Sequence, residues 1–347
     1  MEKIDLGNLD YEELNKLILS WNEKSFRGKQ IYEWIHKKLV SNIDDFSNIS
    51  KELREKLKEE THLTKLEKHT VLHSKKDKTN KYLFQLEDGN IIESVWMKYD
   101  YGNSVCISSQ VGCRMGCKFC ASTIGGLKRN LTAFEMLSEI YEIQKDTGER
   151  VSNVVIMGTG EPLDNFDEIV KFIKMLSDEH GLNISTRNIT LSTCGIVPNI
   201  IRLADLKLPI TFALSLHGTT QEKRKKVLPV ANKYHLPEVI DACRYYSDTT
   251  GRRVSLEYSL IDGKNDTKED ADELIKIAKK IKAHINLIPV NPIEERDFKK
   301  PDKTKIEKFK NELEKNGINV TIRKERGSDI NGACGQLRLG AMKERYT

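Results

Sequence analysis

Three cysteines stand close together in Cys113-Arg-Met-Gly-Cys117-Lys-Phe-Cys120. The spacing is Cys-x-x-x-Cys-x-x-Cys, and three thiolates on one short loop can wrap a soft metal centre. A structural zinc ion takes four ligands and closes its shell. An iron–sulfur cube is normally held by four cysteines. Three thiolates without an evident fourth leave one iron open to a small molecule, and an open iron makes the cluster a reactive centre. The spacing does not match the paired ligands of common zinc loops. A cluster is therefore preferred to a zinc loop or to three unrelated thiols. Of the other four cysteines, Cys106 reads on its own as a buried strand thiol and Cys334 as a tail thiol. Cys194 and Cys243 read as packing residues.

The elements that must position this loop come in three stretches. Residues 1–65 read as a helical accessory domain, with apolar residues at helical spacing over 9–21, 28–39 and 49–57. Ser25-Phe26-Arg27-Gly28 is expected to join the first two helices. Lys and Arg crowd this stretch, which fits either RNA binding or an ordinary solvated face. Residues 66–100 read as a short antiparallel sheet with strands over 70–73, 82–86 and 90–97 and a hairpin turn at Asp88-Gly89. From 101 to 347 strands and helices alternate. Strands are expected over 105–109, 152–157, 188–192, 210–216, 254–260, 285–289 and 319–323. Thr132 and Glu135 form a capping box ahead of the first intervening helix. About six β/α units are too few for a closed eight-unit barrel and suit an open, partial one. The fold class is thus α/β.

Sites in parallel β/α folds gather at the C-terminal ends of the strands. The cysteine loop follows the first strand. Gly158-Thr159-Gly160-Glu161-Pro162-Leu163 follows the second, Ser192 ends the third, Ser215-Leu216-His217-Gly218 ends the fourth, and Asn291 follows the sixth. Each alone is weak, but together they ring one mouth. Glycine backbone can approach a ligand, and Glu161 can accept from an amino group or a ribose. Ser192, Ser215, His217 and Asn291 can hold ribose, carboxylate or adenine. His217 alone reads equally well as a core histidine.

A chain of 347 residues with 31% charged and 38% hydrophobic content fits a globular protein. Its net charge of +5 permits an anionic partner without demanding one. The first residues contain no apolar run, so no signal peptide is expected. No stretch is long and apolar enough to span a membrane. Cysteine usage points to metal or redox chemistry in the cytoplasm and away from a disulfide framework.

The cysteine loop, with Phe119 before its third cysteine, resembles the radical S-adenosylmethionine (radical SAM) superfamily. The longer run Cys106-Ile-Ser-Ser-Gln-Val-Gly-Cys113, Gly-Thr-Gly-Glu-Pro-Leu, Ser-Leu-His and the tail Ala333-Cys334-Gly335-Gln336-Leu337 are similar to the RlmN family. The likeness spans nearly the whole chain and is weaker before Glu93. It implies a [4Fe-4S] cluster on Cys113, Cys117 and Cys120, with SAM chelating the fourth iron and held by Gly160, Glu161, Ser192, Ser215, Leu216, His217 and Asn291. It implies dual-specificity methylation of adenine C2 in 23S rRNA and tRNA, with two SAM per methyl added. C2 is electron-poor and will not attack the SAM methyl, whereas a thiolate will. By the resemblance Cys334 takes the methyl. A 5′-deoxyadenosyl radical from a second SAM removes a hydrogen from it, and the methylene radical adds to C2. Glu93 accepts the C2 proton, and Cys106 attacks Cys334 to form a disulfide as the adduct breaks. A flavodoxin-like electron donor is implied as well. The related C8-adenosine rRNA methyltransferase shares the cluster motif and both cysteines, but carries Ala where this chain has Pro162. Thr159 replaces the Met usual in both branches. A metal-bearing RNA-binding protein without catalysis is the reading from another class. Lys118, Lys128, Arg129, the run Lys223-Arg224-Lys225-Lys226 and Arg338 are candidate phosphate contacts.

Overall fold

The structure is a computed structural model and describes residues 3–338; the chain ends, 1–2 and 339–347, lie outside the described residues. Strand β1 (Ile4–Asp5) opens a helical module of α1 (Tyr11–Ser20), α2 (Ser25–His36) and α3 (Lys51–Glu60), and β2 (Thr61–His62) closes it by pairing in parallel with β1. Asp10 and Glu13 cap α1 reciprocally, and Ser50 caps α3. Leu14 and Ile18 of α1 meet Ile31, Tyr32 and Ile35 of α2 at nearly complete burial. Each such side chain contributes about 1.5–3 kcal/mol.

The expected joint at Ser25–Gly28 is instead the first turn of α2. Gly28 does not break the chain there; it allows close approach. A Cβ at this position would lie 2.0 Å from the Asn15 side-chain oxygen and 3.3 Å from Asn15 Cα, so a larger residue would have to displace the Asn15 side chain for α2 to cross α1 this tightly.

Strands β3 (Glu67–His73), β4 (Thr79–Gln85), β5 (Ile91–Tyr99) and β6 (Gly102–Ile107) run antiparallel. The β4–β5 turn uses Gly89 at φ 80°. These strands are part of a larger sheet. They continue into one ten-stranded sheet, because β6 pairs antiparallel with β5 and parallel with β9.

After β6 come β7 (Gln110–Gly112) and β8 (Leu127–Asn130), a small hairpin that the sequence pattern did not reveal. The alternation then runs α4 (Ala133–Thr147), β9 (Val151–Ile156), α5 (Phe166–Ser177), β10 (Ile189–Thr193), α6 (Val197–Asp205), β11 (Thr211–Ser215), α7 (Gln221–Val227), α8 (Leu236–Thr250), β12 (Ser255–Leu260), α9 (Lys268–Ile281), β13 (His284–Pro289), α10 (Lys303–Lys315) and β14 (Val320–Ile322). The capping box at Thr132 and Glu135 is present, and Gly148 ends α4 in the left-handed region.

Parallel strands from β6 to β14 lie side by side in chain order, without the reversal of a doubly wound sheet. The sheet ends at β14 on one side and β3 on the other, so the barrel is open. Helix α4 is buried on almost every face because it lies between this sheet and the helical module. His36 of α2 reaches it, with Nδ1 2.8 Å from the Tyr141 hydroxyl.

Candidate active site

The cysteine loop hangs between the paired ends of β7 and β8. Cys113 N–H donates to Gly126 O at 3.0 Å, and Cys120 N–H donates to Cys117 O at 3.2 Å. Lys118 N–H donates to Val227 O at 2.9 Å and ties the loop to the end of α7. Cys113, Cys117 and Cys120 all line one cavity of about 140 Å³. Burial pushes the Cys113 thiol up to about 12 and raises Cys117 and Cys120 as well. These thiols keep their protons until a cation displaces them, so metal loading releases protons. Among the described residues no three His, Cys, Asp or Glu side chains are placed to hold a single ion. Thiolates that each take a different iron need not converge on one point. Three thiols that line one cavity are a donor set that a cluster with one open iron could use.

The same cavity is lined by most of the expected SAM residues. Asn291 donates through Nδ2 to Cys334 O at 3.0 Å, while its Oδ1 is buried without a partner. An orphaned acceptor in a cavity wall is what the donors of a bound molecule would satisfy. Ser192 and Ser215 hydroxyls lie 3.2 Å apart.

His217 adopts a left-handed φ of 55°. Its Nδ1 accepts from Ser259 N–H at 2.9 Å. A backbone N–H can only donate, so Nδ1 is bare and the ring proton sits on Nε2. Burial, with help from Arg224, lowers its pKa to about 3, which keeps the ring neutral and a donor. Phe119 meets this ring edge-on at 4.7 Å.

Glu161 is already engaged. It accepts from the Thr193 hydroxyl at 2.6 Å, Cys194 N–H at 2.8 Å and Leu163 N–H at 3.0 Å. It thus ties the loop after β9 to the end of β10, and burial raises its pKa. Gly160 is needed for packing: at φ 116°, a Cβ would lie 2.6 Å from Ser109 Oγ. Leu216 departs from the expected set. It is fully buried, its side chain belongs to the hydrophobic core, and its backbone N–H donates to Glu257 O at 3.0 Å while its carbonyl accepts from Gly218 N–H at 2.7 Å.

A second cavity of about 340 Å³ lies alongside, lined by Cys106, Cys334, Tyr99, Met157 and Arg323. Cys334 lines both cavities. Both thiols are free, and burial pushes Cys106 up to about 12 while Arg323 opposes the rise. The segment carrying Cys334 is tied down on several sides. Ala121 N–H donates to Gly335 O at 2.7 Å, Ser122 Oγ to Leu337 O at 2.7 Å, and Gln336 Nε2 to Pro292 O at 3.1 Å. Glu93 is 3% exposed. It pairs with Lys81 at 2.7 Å and accepts from Arg338 N–H at 2.8 Å. Burial raises its pKa and Lys81 pulls it back.

Sequence reasoning missed Lys81, Arg323 and Glu257. Arg323 follows β14, a strand end that the rule for β/α folds already marks, and its Nη1 lies 3.8 Å from Glu257 Oε2. Several expected phosphate contacts are committed elsewhere. Arg224 is fully buried and donates to Cys194 O at 2.5 Å. Lys223 pairs with the buried Asp270 at 2.7 Å. Arg129 is held by Glu135 and Asp88, and Arg338 by Glu295. Lys118, Lys128, Lys225 and Lys226 are exposed.

Two family profiles match the chain: the ribosomal RNA large subunit methyltransferase N-terminal domain over residues 4–63, and the radical SAM superfamily over 107–278. A protein of Lachnospira eligens described as "Probable dual-specificity RNA methyltransferase RlmN" is 59% identical over 340 residues, 98% of this chain and 97% of that protein. One of Lachnoclostridium phytofermentans with the same description is 60% identical over 97% of this chain and 95% of its own length. The chain belongs to the RlmN family. A crystal structure of a radical SAM methyltransferase from Sphaerobacter thermophilus superposes with a TM-score of 0.92 at 38% identity, covering 96% of this chain and 99% of that one. As an RlmN family member, the chain is a radical SAM methyltransferase whose cofactors are a [4Fe-4S] cluster and SAM.

Proposed function

We propose that this chain methylates adenine C2 in both 23S rRNA and tRNA, at the peptidyl-transferase centre and at the adenosine 3′ of the anticodon. The observation that carries the reading is the place of Cys334. It lies where the cavity of Cys113, Cys117 and Cys120 adjoins the cavity of Cys106. A residue there can take a methyl group on one side and pass it on at the other.

Cys113, Cys117 and Cys120 would hold the cluster, and Asn291, His217, Ser192 and Ser215 would hold SAM. Together these cofactors supply the methyl group and the one-electron chemistry that activates it. The protein's own side chains do the rest. The Cys334 thiolate accepts the methyl. Glu93 takes up the proton from C2 once Cys334 is joined to the base through the methylene. Cys106 then attacks the Cys334 sulfur, forming S–S as C–S breaks, and the freed carbon takes a proton to become methyl. A donor such as a flavodoxin-like protein provides electrons from outside, and the cytoplasm is the compartment that holds both RNAs. The helical module is the natural RNA contact. It exposes Phe26 at 48%, with the Arg27 guanidinium 4.9 Å from that ring. Among the described residues no helix is long and apolar enough to cross a membrane.

The test is mass spectrometry of nucleosides from rRNA and tRNA treated with reconstituted enzyme. 2-Methyladenosine from both RNAs is expected. Predominant 8-methyladenosine would overturn the C2 assignment, and activity on one RNA alone would overturn dual specificity.

A further inference from the structure

We propose that Lys81 is a positioning residue for this reaction: its ammonium is the charge partner of the Glu93 carboxylate, and the pair pins the segment that carries Cys334 at both ends. The proposal rests on the reading of Glu93 as the proton acceptor.

Lys81 and Glu93 lie on neighbouring strands. Their partners across the β4–β5 ladder are Val95 and Leu83, so the two are diagonal neighbours on one face. Long side chains reach across such a diagonal. Lys81 is 2% exposed, and its ammonium lies 2.7 Å from Glu93 Oε1. It also donates to Asn331 O at 3.1 Å. Glu93 Oε2 accepts from Arg338 N–H. One buried pair thus holds the chain on both sides of Cys334.

An apolar pair of the same volume would hold β4 to β5 at least as well, because desolvating two charges offsets most of their attraction. Stability therefore does not account for the pair. Its chemical effect does. Burial pushes Glu93 towards the neutral acid, a form that cannot accept a proton, and the ammonium pulls it back. Among the described residues, the charged groups that act on the carboxylate include Lys81 from β4 and Arg338 from the tail. The Arg338 guanidinium is engaged by Glu295. Glu139 is bonded to Ser94, the next residue along β5, whose side chain points to the opposite face.

Removing the ammonium should raise the pH at which Glu93 ionises. The experiment follows product formation against pH in single turnovers, starting from enzyme already methylated on Cys334. In Lys81→Met, methyl loading on Cys334 should persist. The acid limb of the profile should move up by about one pH unit or more, a loss of about tenfold on that limb. The rate should approach wild type at alkaline pH, and Lys81→Arg should restore the profile. An unchanged profile, or a uniform loss without a moved limb, would overturn the proposal. Glu93→Gln separates this proposal from the reading beneath it. If Glu93→Gln forms product normally, the base assignment fails and the Lys81 role with it. If Glu93→Gln is inactive while the limb of Lys81→Met stays put, the Lys81 role alone fails. Should Lys81→Met not fold, the wild type still decides. Hydrogen exchange of residues 331–338 should quicken, beyond the intrinsic pH effect, as Glu93 takes up a proton. Protection that stays constant through that range would overturn the clamp.

Discussion

Acidification should loosen the helical module from the barrel through His36. This residue is fully buried on α2, with Nδ1 on the Tyr141 hydroxyl of α4 and Nε2 without a partner. Burial lowers its pKa from 6.5 to about 3. A folded pKa below the unfolded one gives a contribution that is complete above the unfolded value and is lost as pH falls towards the folded one. At pH 5 the unfolded ring is protonated in about 97% of chains and the folded ring in about 1%, by mass action on those two values. The free-energy equivalent is about 1.5 decades at about 1.36 kcal/mol each, or about 2 kcal/mol. At pH 7.5 it is close to zero. His36→Phe removes the titration while keeping an aromatic ring beside Tyr32, whose centroid is 4.2 Å away. Leaving the Tyr141 hydroxyl without its partner costs the same at both pH values and cancels in the comparison. The assay is urea unfolding of the apoprotein, followed by tryptophan fluorescence, since Trp21 and Trp34 lie in the module. From pH 7.5 to pH 5 the wild type should lose about 2 kcal/mol more than the variant. Equal losses would show that His36 is not held neutral in the fold.

Replacing Cys113, Cys117 and Cys120 together with Ala should abolish iron binding and SAM cleavage; release of 5′-deoxyadenosine by that variant would sink the cluster assignment. Cys106→Ala should still load a methyl on Cys334 and should accumulate a protein–RNA species that survives denaturation and vanishes when Cys334 is also replaced. Free methylated RNA at normal yield from Cys106→Ala would remove the two-cysteine mechanism. Gly160→Ala should lower stability by about 1–3 kcal/mol, because it places a side chain at a strained φ and against Ser109. An unchanged melting temperature would show that the loop after β9 gives way there.

Much of this arrangement is readable from local pattern. Strand–helix alternation is a periodicity signal, and the capping box at Thr132 and Glu135 marks a helix start that the structure reproduces. Cysteine spacing specifies a chemistry without any fold. What escapes has physical reasons. Periodicity says nothing about which strands are neighbours, so the fusion of the antiparallel strands with the parallel ones through β6 was not visible. Strands β7 and β8 are too short to carry an alternation. Gly28 looks like a breaker because close helix crossing and chain turning use the same residue. Arg224 sits in a run of four cations that reads as a solvated face, yet it is fully buried while Lys225 and Lys226 beside it are exposed. Lys81 lies on a strand covered on both faces, where alternation no longer separates core from solvent.

The open barrel also fits the proposal that the methyl-accepting thiol is on a tail. Strand β14 is one edge of the sheet and β3 the other. The chain leaving β14 reaches the β3–β4 turn, where Asp329 accepts from Ser74 Oγ at 2.7 Å and Lys75 N–H at 2.8 Å, and Gly327 N–H donates to Asp77 Oδ2 at 3.2 Å. It continues to Lys81 and Glu93 on β4 and β5. The tail thus links the two edges, and Cys334 lies between these anchors against both cavities. The links are separate bonds to charged side chains, each worth about 1.5–3 kcal/mol net, and not a strand ladder. A strand placed there would have to unzip before its cysteine could turn from one cavity to the other. A tail held by separate bonds can release them singly, which suits the proposed role of a sulfur that faces SAM first and the RNA base afterwards.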